Sequence, residues 1–195
     1  MDGARLMNAS IAMNVPPARL VRDCASVSLC LSKGLGAPVG SVIAGSKSFI
    51  ERARRLRKAL GGGVRQPSIL AAAGIYGLDH VPKLLEADHR HAKAIAQAVS
   101  NLKSPLVSVN IADVHTNIVL LECDMRTVFP AHLCARMQTV TEEEAFALGH
   151  RIVIKSFSMA KTSVRLVLYY NITPEDVELA IKKLTFVIRE YNRVI

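Results

Sequence analysis

Tryptophan is absent from this chain of 195 residues, and aromatic residues make up only 5% of it. Single-strand nucleic-acid binders interleave aromatic stacking platforms with their charges, and no such pattern is present. No apolar run reaches about 18 residues, so no membrane span is expected. The start carries an acid at Asp2 and a polar residue at Asn8, with no basic segment followed by an apolar block. It does not read as a secretion signal. The four cysteines, Cys24, Cys30, Cys123 and Cys134, match neither a zinc site nor a paired redox motif. Reduced, buried thiols in an intracellular protein are the expectation, cytoplasmic with a mitochondrial location as the alternative. The six histidines form no metal pair at helical spacing, so no metal is implied. Internal repeats and low-complexity tracts are missing as well.

Half of the residues are apolar and the net charge is +9. A chain of this size buries a core and makes one or two domains. Much of the positive charge lies between Lys47 and Arg65, where Lys47, Arg52, Arg54, Arg55, Arg57, Lys58 and Arg65 face Glu51 alone. A basic stripe is one form of nucleic-acid footprint. No recognised nucleic-acid motif accompanies it, which leaves that reading a remote alternative. A solvated helix face that meets a partner or another segment explains the stripe with fewer assumptions.

The first half reads as alternating helices and strands. Arg5 to Asn14 is helical and stops before Pro16-Pro17. Ala25 to Leu31 alternates and reads as a strand, and Val39 to Ala44 as a second. Ser46 caps a helix through Leu60, which Gly61-Gly62-Gly63 must break. Gln66 to His80 is a small-residue helix around Ala71, Ala72 and Ala73, and Pro82 starts a longer one to Leu102. Ser104-Pro105 then marks a boundary. Beyond it, Leu106–Asn110, 117–122, Arg151–Phe157 and 163–170 read as strands, and 130–148 holds one or two helices. Thr173-Pro174-Glu175-Asp176 opens a last helix whose apolar face is Val177, Ala180, Ile181, Leu184, Val187 and Ile188. That part predicts a sheet with helices on one side, an α+β layer.

One stretch carries chemistry. Ser32-Lys33-Gly34-Leu35-Gly36-Ala37-Pro38-Val39-Gly40 follows the first strand and sets a lysine at the head of a glycine-rich turn. A lysine at the mouth of a sheet, among small residues, is how a protein presents an amine to a carbonyl cofactor. On pattern alone an ordinary surface lysine fits as well. Met1-Asp2-Gly3-Ala4-Arg5 places a carboxylate and a guanidinium upstream, and Gly61-Gly62-Gly63-Val64-Arg65-Gln66 combines close backbone approach with an arginine at a helix start. Arg165 stands alone in the apolar strand Ser163-Val164-Arg165-Leu166-Val167, and must face water or an anion.

Taken together, these stretches resemble the threonine aldolase family, which depends on pyridoxal phosphate (PLP). The resemblance is close from Met1 to about Leu102 and looser beyond. It implies an α/β, aspartate-aminotransferase-like fold of type I. Residues 1–103 would form the later part of the large domain and 104–195 the small α+β domain. It implies Lys33 as the Schiff-base lysine and Asp2 as the partner of the pyridine nitrogen. Arg5 would lie near the cofactor's phenolic oxygen and Arg65 near its phosphate. Arg165 would grip the substrate carboxylate, with Lys58 at a further active-site position. After that arginine the family commonly continues Val-Thr-His-X-Asp-Val, where this chain has Val167-Leu168-Tyr169-Tyr170-Asn171-Ile172. The implied activity is cleavage of threonine or allo-threonine to glycine and acetaldehyde, in a homodimer or homotetramer, with neither nucleic acid nor membrane as partner. The match begins at the family's mid-point. The ring-stacking histidine and the phosphate-cradling helix are therefore expected to lie upstream of the matched part. The alternative is a fragment that serves only as an assembly partner.

Overall fold

The computed structural model describes residues 1–193. By contacts the chain divides into two compact units, Met1–Glu86 and Ala87 onward. The sequence boundary at Ser104-Pro105 lies at the far end of the helix that contains this division.

The first unit contains helices α1 (Leu6–Met13), α2 (Pro17–Leu20), α3 (Lys47–Ala59) and α4 (Ser68–His80), and strands β1 (Ser26–Cys30) and β2 (Ser41–Gly45). Pro17 ends nothing; it occupies the first turn of α2, where its missing N–H costs no hydrogen bond. β1 pairs antiparallel with β2, Ser26 opposite Gly45 and Cys30 opposite Ser41. On its other side β1 receives the first residues of the chain. Asp2 bridges Ser28 in parallel. The Gly3 N–H donates to the Ser28 carbonyl at 2.7 Å, and the Ser28 N–H donates to the Met1 carbonyl at 3.1 Å. Ser46 caps α3 as its sequence predicts, its hydroxyl accepting from the Phe49 N–H at 3.3 Å. All of β2 is exposed, and α3 buries none of its residues.

The second unit takes in most of α5 (Leu85–Asn101), which follows a 3₁₀ turn at Val81–Leu84. It continues through β3 (Val107–Ser108), β4 (Ile118–Cys123), α6 (Pro130–Gln138), α7 (Glu142–Leu148), β5 (Phe157–Ser158), β6 (Ser163–Val167) and α8 (Pro174–Asn192). The strands form one antiparallel sheet in the order β3-β4-β6-β5. One face packs against helices: Val119, Leu121, Val164 and Leu166 of the sheet meet Ile95 and Val99 of α5, Leu133 and Met137 of α6, and Leu184 and Ile188 of α8. This is the α+β layer that the alternation predicts. α8 starts with a capping box, the Asp176 carboxylate accepting the Thr173 N–H at 2.9 Å while the Thr173 hydroxyl accepts the Asp176 N–H at 3.1 Å.

Two readings are corrected. The strand expected over Arg151–Phe157 is a ladder only at Phe157–Ser158. Residues 151–155 form no ladder, and among their backbone N–H groups only that of Ile154 finds a partner, donating to the Met137 carbonyl at 3.0 Å. The cysteines are free, as expected, yet only Cys123 and Cys134 are buried; Cys24 and Cys30 are half-exposed.

An ion network ties the helices of the second unit. The fully buried Lys183 ammonium donates to the Glu144 carboxylate and, at 2.6 Å, to the Thr139 carbonyl. Arg136 donates to Glu144 and to Glu190, each at 2.8 Å. Burial pushes the Glu144 carboxyl up, but the hydrogen bonds and charges of Lys183 and Arg136 outweigh it and hold the group below its ordinary value. A carboxylate with a depressed folded pKa stabilises fully above its unfolded value, and that contribution disappears as the pH falls through the folded one. Glu144→Gln should therefore cost about 3–5 kcal/mol in urea unfolding at neutral pH, because it leaves Lys183 buried without its counter-charge. The gap between the variant and the parent chain should shrink as the pH falls through the lowered folded value, where the parent carboxyl also gains a proton.

Candidate active site

The parallel pairing of Met1–Gly3 with β1 sets two chain ends side by side. Parallel strands run in the same direction, so the residues after Gly3 and those after Cys30 leave the sheet at the same edge. Ligands of open α/β sheets sit outside the carboxyl ends of their strands. On one path lie Asp2 and then Arg5, which opens α1; on the other lies Lys33.

The turn bearing Lys33 is closed by its neighbours. The Leu31 N–H donates to the Gly40 carbonyl and the Leu31 carbonyl accepts the Ala37 N–H, both at 2.9 Å. The Gly36 N–H donates to the Lys33 carbonyl at 2.9 Å, and Gly36 has φ +69°, a left-handed conformation that glycine adopts without strain. Lys33 is exposed, and among the described residues its amine makes no hydrogen bond or ion pair. Its charge is felt at Cys30. Burial raises the Cys30 thiol, yet hydrogen bonds from Ser32 and Ser41 and the positive Lys33 bring it below its ordinary value. The Cys30 Sγ lies 3.3 Å from the Ser32 hydroxyl.

Asp2 uses one carboxylate oxygen, Oδ1, to accept the Ala4 N–H at 2.9 Å, which fixes the side chain in a turn at the strand end. Arg5 and Asn8, one helical turn apart, line a small cleft together with Leu29, Cys30, Gly34 and Leu35. Arg5 thus borders the lysine turn. Asn8 is buried and packs so closely on Gly34 that a Cβ there would lie 2.6 Å from its Oδ1. The sequence marks Asn8 only as a polar residue near the start, although an amide in step with Arg5 on a mostly apolar helix is a legible sign.

The turn is also gripped from the side by α4. A Cβ on Gly77 would stand 2.8 Å from the Leu35 carbonyl oxygen, and one on Gly74 would stand 2.9 Å from the Leu31 side chain. The small-residue character of this helix is confirmed, but the close face is Gly74 and Gly77 rather than the alanine run, whose Ala71 and Ala72 are exposed. Lys58 lies in the last turn of α3 and Arg65 on the segment between α3 and α4, and both are exposed. Lys58 folds over Gly63, its Nζ 3.5 Å from where a Cβ would be. No hydrogen bond or ion pair joins Lys58 or Arg65 to Lys33 or Asp2 among the described residues.

In the second unit, Arg165 lies opposite Leu120 on β4 and Phe157 on β5. Its guanidinium carbon sits 5.5 Å from the Phe157 ring centroid, a cation–π distance. Its Nε is buried without a partner. The arginine is therefore held partly out of water with hydrogen-bonding capacity unused, the condition in which an anion is welcome.

The residues around Lys33 suit a pyridine aldehyde phosphate in their chemistry. An unpaired amine, a carboxylate with one oxygen left free by its turn, and a guanidinium beside the lysine turn are the types of group that its carbonyl, ring nitrogen and phenolic oxygen require.

Comparisons with known proteins bear on the family and the fold. A family model described as beta-eliminating lyase matches residues 1–124. Low-specificity L-threonine aldolase 1 of Arabidopsis thaliana is 43% identical over 178 residues, which cover 91% of this chain and 46% of the relative. The chain spans about half the length of the curated relatives it matches. Among solved structures, a candidate L-allo-threonine aldolase from Listeria monocytogenes is similar at a TM-score of 0.72 and 16% identity, over 95% of this chain and 51% of that one. An ornithine delta-aminotransferase from Plasmodium falciparum is similar at 0.63 and 17%, over 100% and 47%. These likenesses show an aspartate-aminotransferase-like fold.

The grip of α4 on the lysine turn gives a direct test. Gly77→Ala forces a methyl group against backbone that cannot move aside. It should destabilise the first unit by about 1–3 kcal/mol, read as a lower urea midpoint. Amide exchange should also become faster at Leu35 and Gly36, whereas Ala72→Gly, on the exposed side of α4, should leave exchange in that turn unchanged.

Proposed function

The chain belongs to the beta-eliminating lyase family, and from that premise we propose that it carries the lysine-bearing part of a PLP-dependent aldolase site. The substrate would be L-threonine or L-allo-threonine, split to glycine and acetaldehyde. The observation that carries this reading is the emergence of Asp2 and Lys33 from adjacent parallel strands at one sheet edge. The low-specificity L-threonine aldolases among the relatives supply the substrate class.

In this reading Lys33 holds the cofactor through its carbonyl carbon. When bound, the cofactor supplies an electron sink for the pair released as the Cα–Cβ bond breaks. Asp2 accepts a hydrogen bond from the ring nitrogen and keeps its proton in place, because a fixed carboxylate favours the charged ring. Arg5 would neutralise the phenolic oxygen, Arg65 would face the phosphate and Lys58 the substrate. Arg165, flattened against Phe157, takes the substrate carboxylate.

A second reading concerns assembly. Leu56, Leu60, Ile69, Ile75 and Tyr76 of the first unit are all exposed. Apolar surface of this kind favours association, and we propose a homo-oligomer as the functional form.

The test is chemical. The chain is incubated with PLP, reduced with borohydride and digested, and the modified lysine is located by mass spectrometry. Lys33 should carry the label, and Lys33→Ala should lose both the label and the visible absorbance. Acetaldehyde release from threonine should fall to background in the same variant. Equal labelling of many lysines, unchanged by Lys33→Ala, would contradict the assignment.

A further inference from the structure

A cavity of about 690 Å³ in the second unit is a slot left where two strands part. One wall is the segment 151–155; the other is the end of β6 with the residues that follow it, from Leu166 to Tyr169. Val177 and Leu184 of α8 form its apolar floor, and His150, Arg151 and Lys155 stand at its rim.

The register shows why the slot is open to a chain. Phe157 pairs with Arg165, so the same antiparallel register would set Lys155 against Val167. That pairing does not form, and the ladder ends at Phe157. Backbone groups alternate in direction along an extended chain. The Ile154 N–H points to α6, where it meets Met137, and the Met159 N–H points to β6, where it meets Ser163. Val153 and Lys155, in step with Met159, therefore turn their N–H and C=O groups toward β6. On β6, the Leu168 N–H reaches Asn117 beside β4, so Val167 turns its own groups the opposite way, into the slot. Among the described residues, none of the backbone N–H groups of Val153, Lys155 and Val167 has a partner. Both walls thus present unpaired strand edges within an apolar groove.

We propose that this slot accepts an extended segment of a partner protein, which enters as an added strand. Apolar side chains at alternate positions would face α8, and an acidic residue would lie beside Lys155. An apolar small molecule would fill the volume but leave both edges unsatisfied. A peptide strand carries donors and acceptors at the matching pitch, the basis of recognition by strand addition. The charge at the rim sets the sign. Arg151 is occupied by Glu142 at 2.9 Å, and Asp176 by the Thr173 cap. Lys155 makes no ion pair among the described residues and is the cation left for the partner.

The probe is the capped peptide acetyl-Glu-Val-Thr-Val-Thr-Val-Glu-amide, added to the ¹⁵N-labelled chain, with amide exchange followed by NMR. Exchange at Val153, Lys155 and Val167 should slow by about tenfold or more once the peptide saturates, as closing of an open edge requires. Alternate N-methylation of the peptide should abolish binding. Lys155→Glu, a surface change that leaves folding intact, should weaken the Glu-flanked peptide about two- to fivefold and favour a Lys-flanked one. Equal binding of the N-methylated peptide would overturn the proposal in favour of a simple apolar pocket. Protection of the three amides without peptide would also overturn it: at all concentrations it would mean that the edges close on each other, and only at high concentration that a second copy fills the slot.

Discussion

Everything at the lysine-bearing edge depends on one short parallel pairing. The Met1 amino group donates to the Ser26 carbonyl at 2.8 Å, and the exchange between Ser28 and its neighbours Met1 and Gly3 completes the zip. These bonds fix the direction of the first residues, and direction decides which end of the sheet Asp2 and Arg5 occupy. An antiparallel pairing would carry α1 to the opposite edge and separate the carboxylate from the lysine. Gly3 makes the pairing possible sterically, since a Cβ there would lie 2.8 Å from Val27.

A second constraint, close packing, then holds the lysine turn. Leu31 and Leu35 flank Lys33 in sequence, and both are buried. Gly74 and Gly77 bring α4 against them, while Asn8 closes on Gly34 from α1. The side chain of Lys33 is left free on a turn whose backbone is fixed from two sides. That combination, a fixed backbone under an exposed, unpaired amine, suits a residue proposed to bond to a carbonyl and release it. The second unit follows a different logic. Its sheet is covered on one face by helices, its ion network is buried, and Arg165 stands on a surface formed by cross-strand pairing with Phe157.

Much of this architecture is legible in the amino-acid sequence. Ser46 and Thr173 announce their helices because a side-chain oxygen ahead of an amphipathic run has one good use, as a cap. The glycine-rich turn that carries Lys33 is legible from its residues, and the bend after Met1-Asp2-Gly3 is not. The pairing of Met1–Gly3 is not, since three residues carry no periodicity. Nor is the parting of 151–155 from β6. Ile152 and Ile154 alternate with Arg151, Val153 and Lys155 as in any half-buried strand, and a pattern of faces does not reveal whether the edges are paired. The grip of Gly77 on Leu35 is hidden for a related reason: a glycine in a helix shows that something approaches, but not what.

The central claim is that Asp2 and Lys33 serve one cofactor from one sheet edge. It is tested most directly by the ¹⁵N NMR shift of the ring nitrogen, using PLP labelled at that atom and bound to the chain. At neutral pH the parent chain should give the shift of a protonated pyridine, and Asp2→Asn, with Lys33 still bonded to the cofactor, should give that of a neutral one. The same shift in both proteins would contradict the account, since the carboxylate would then have no part in holding the ring.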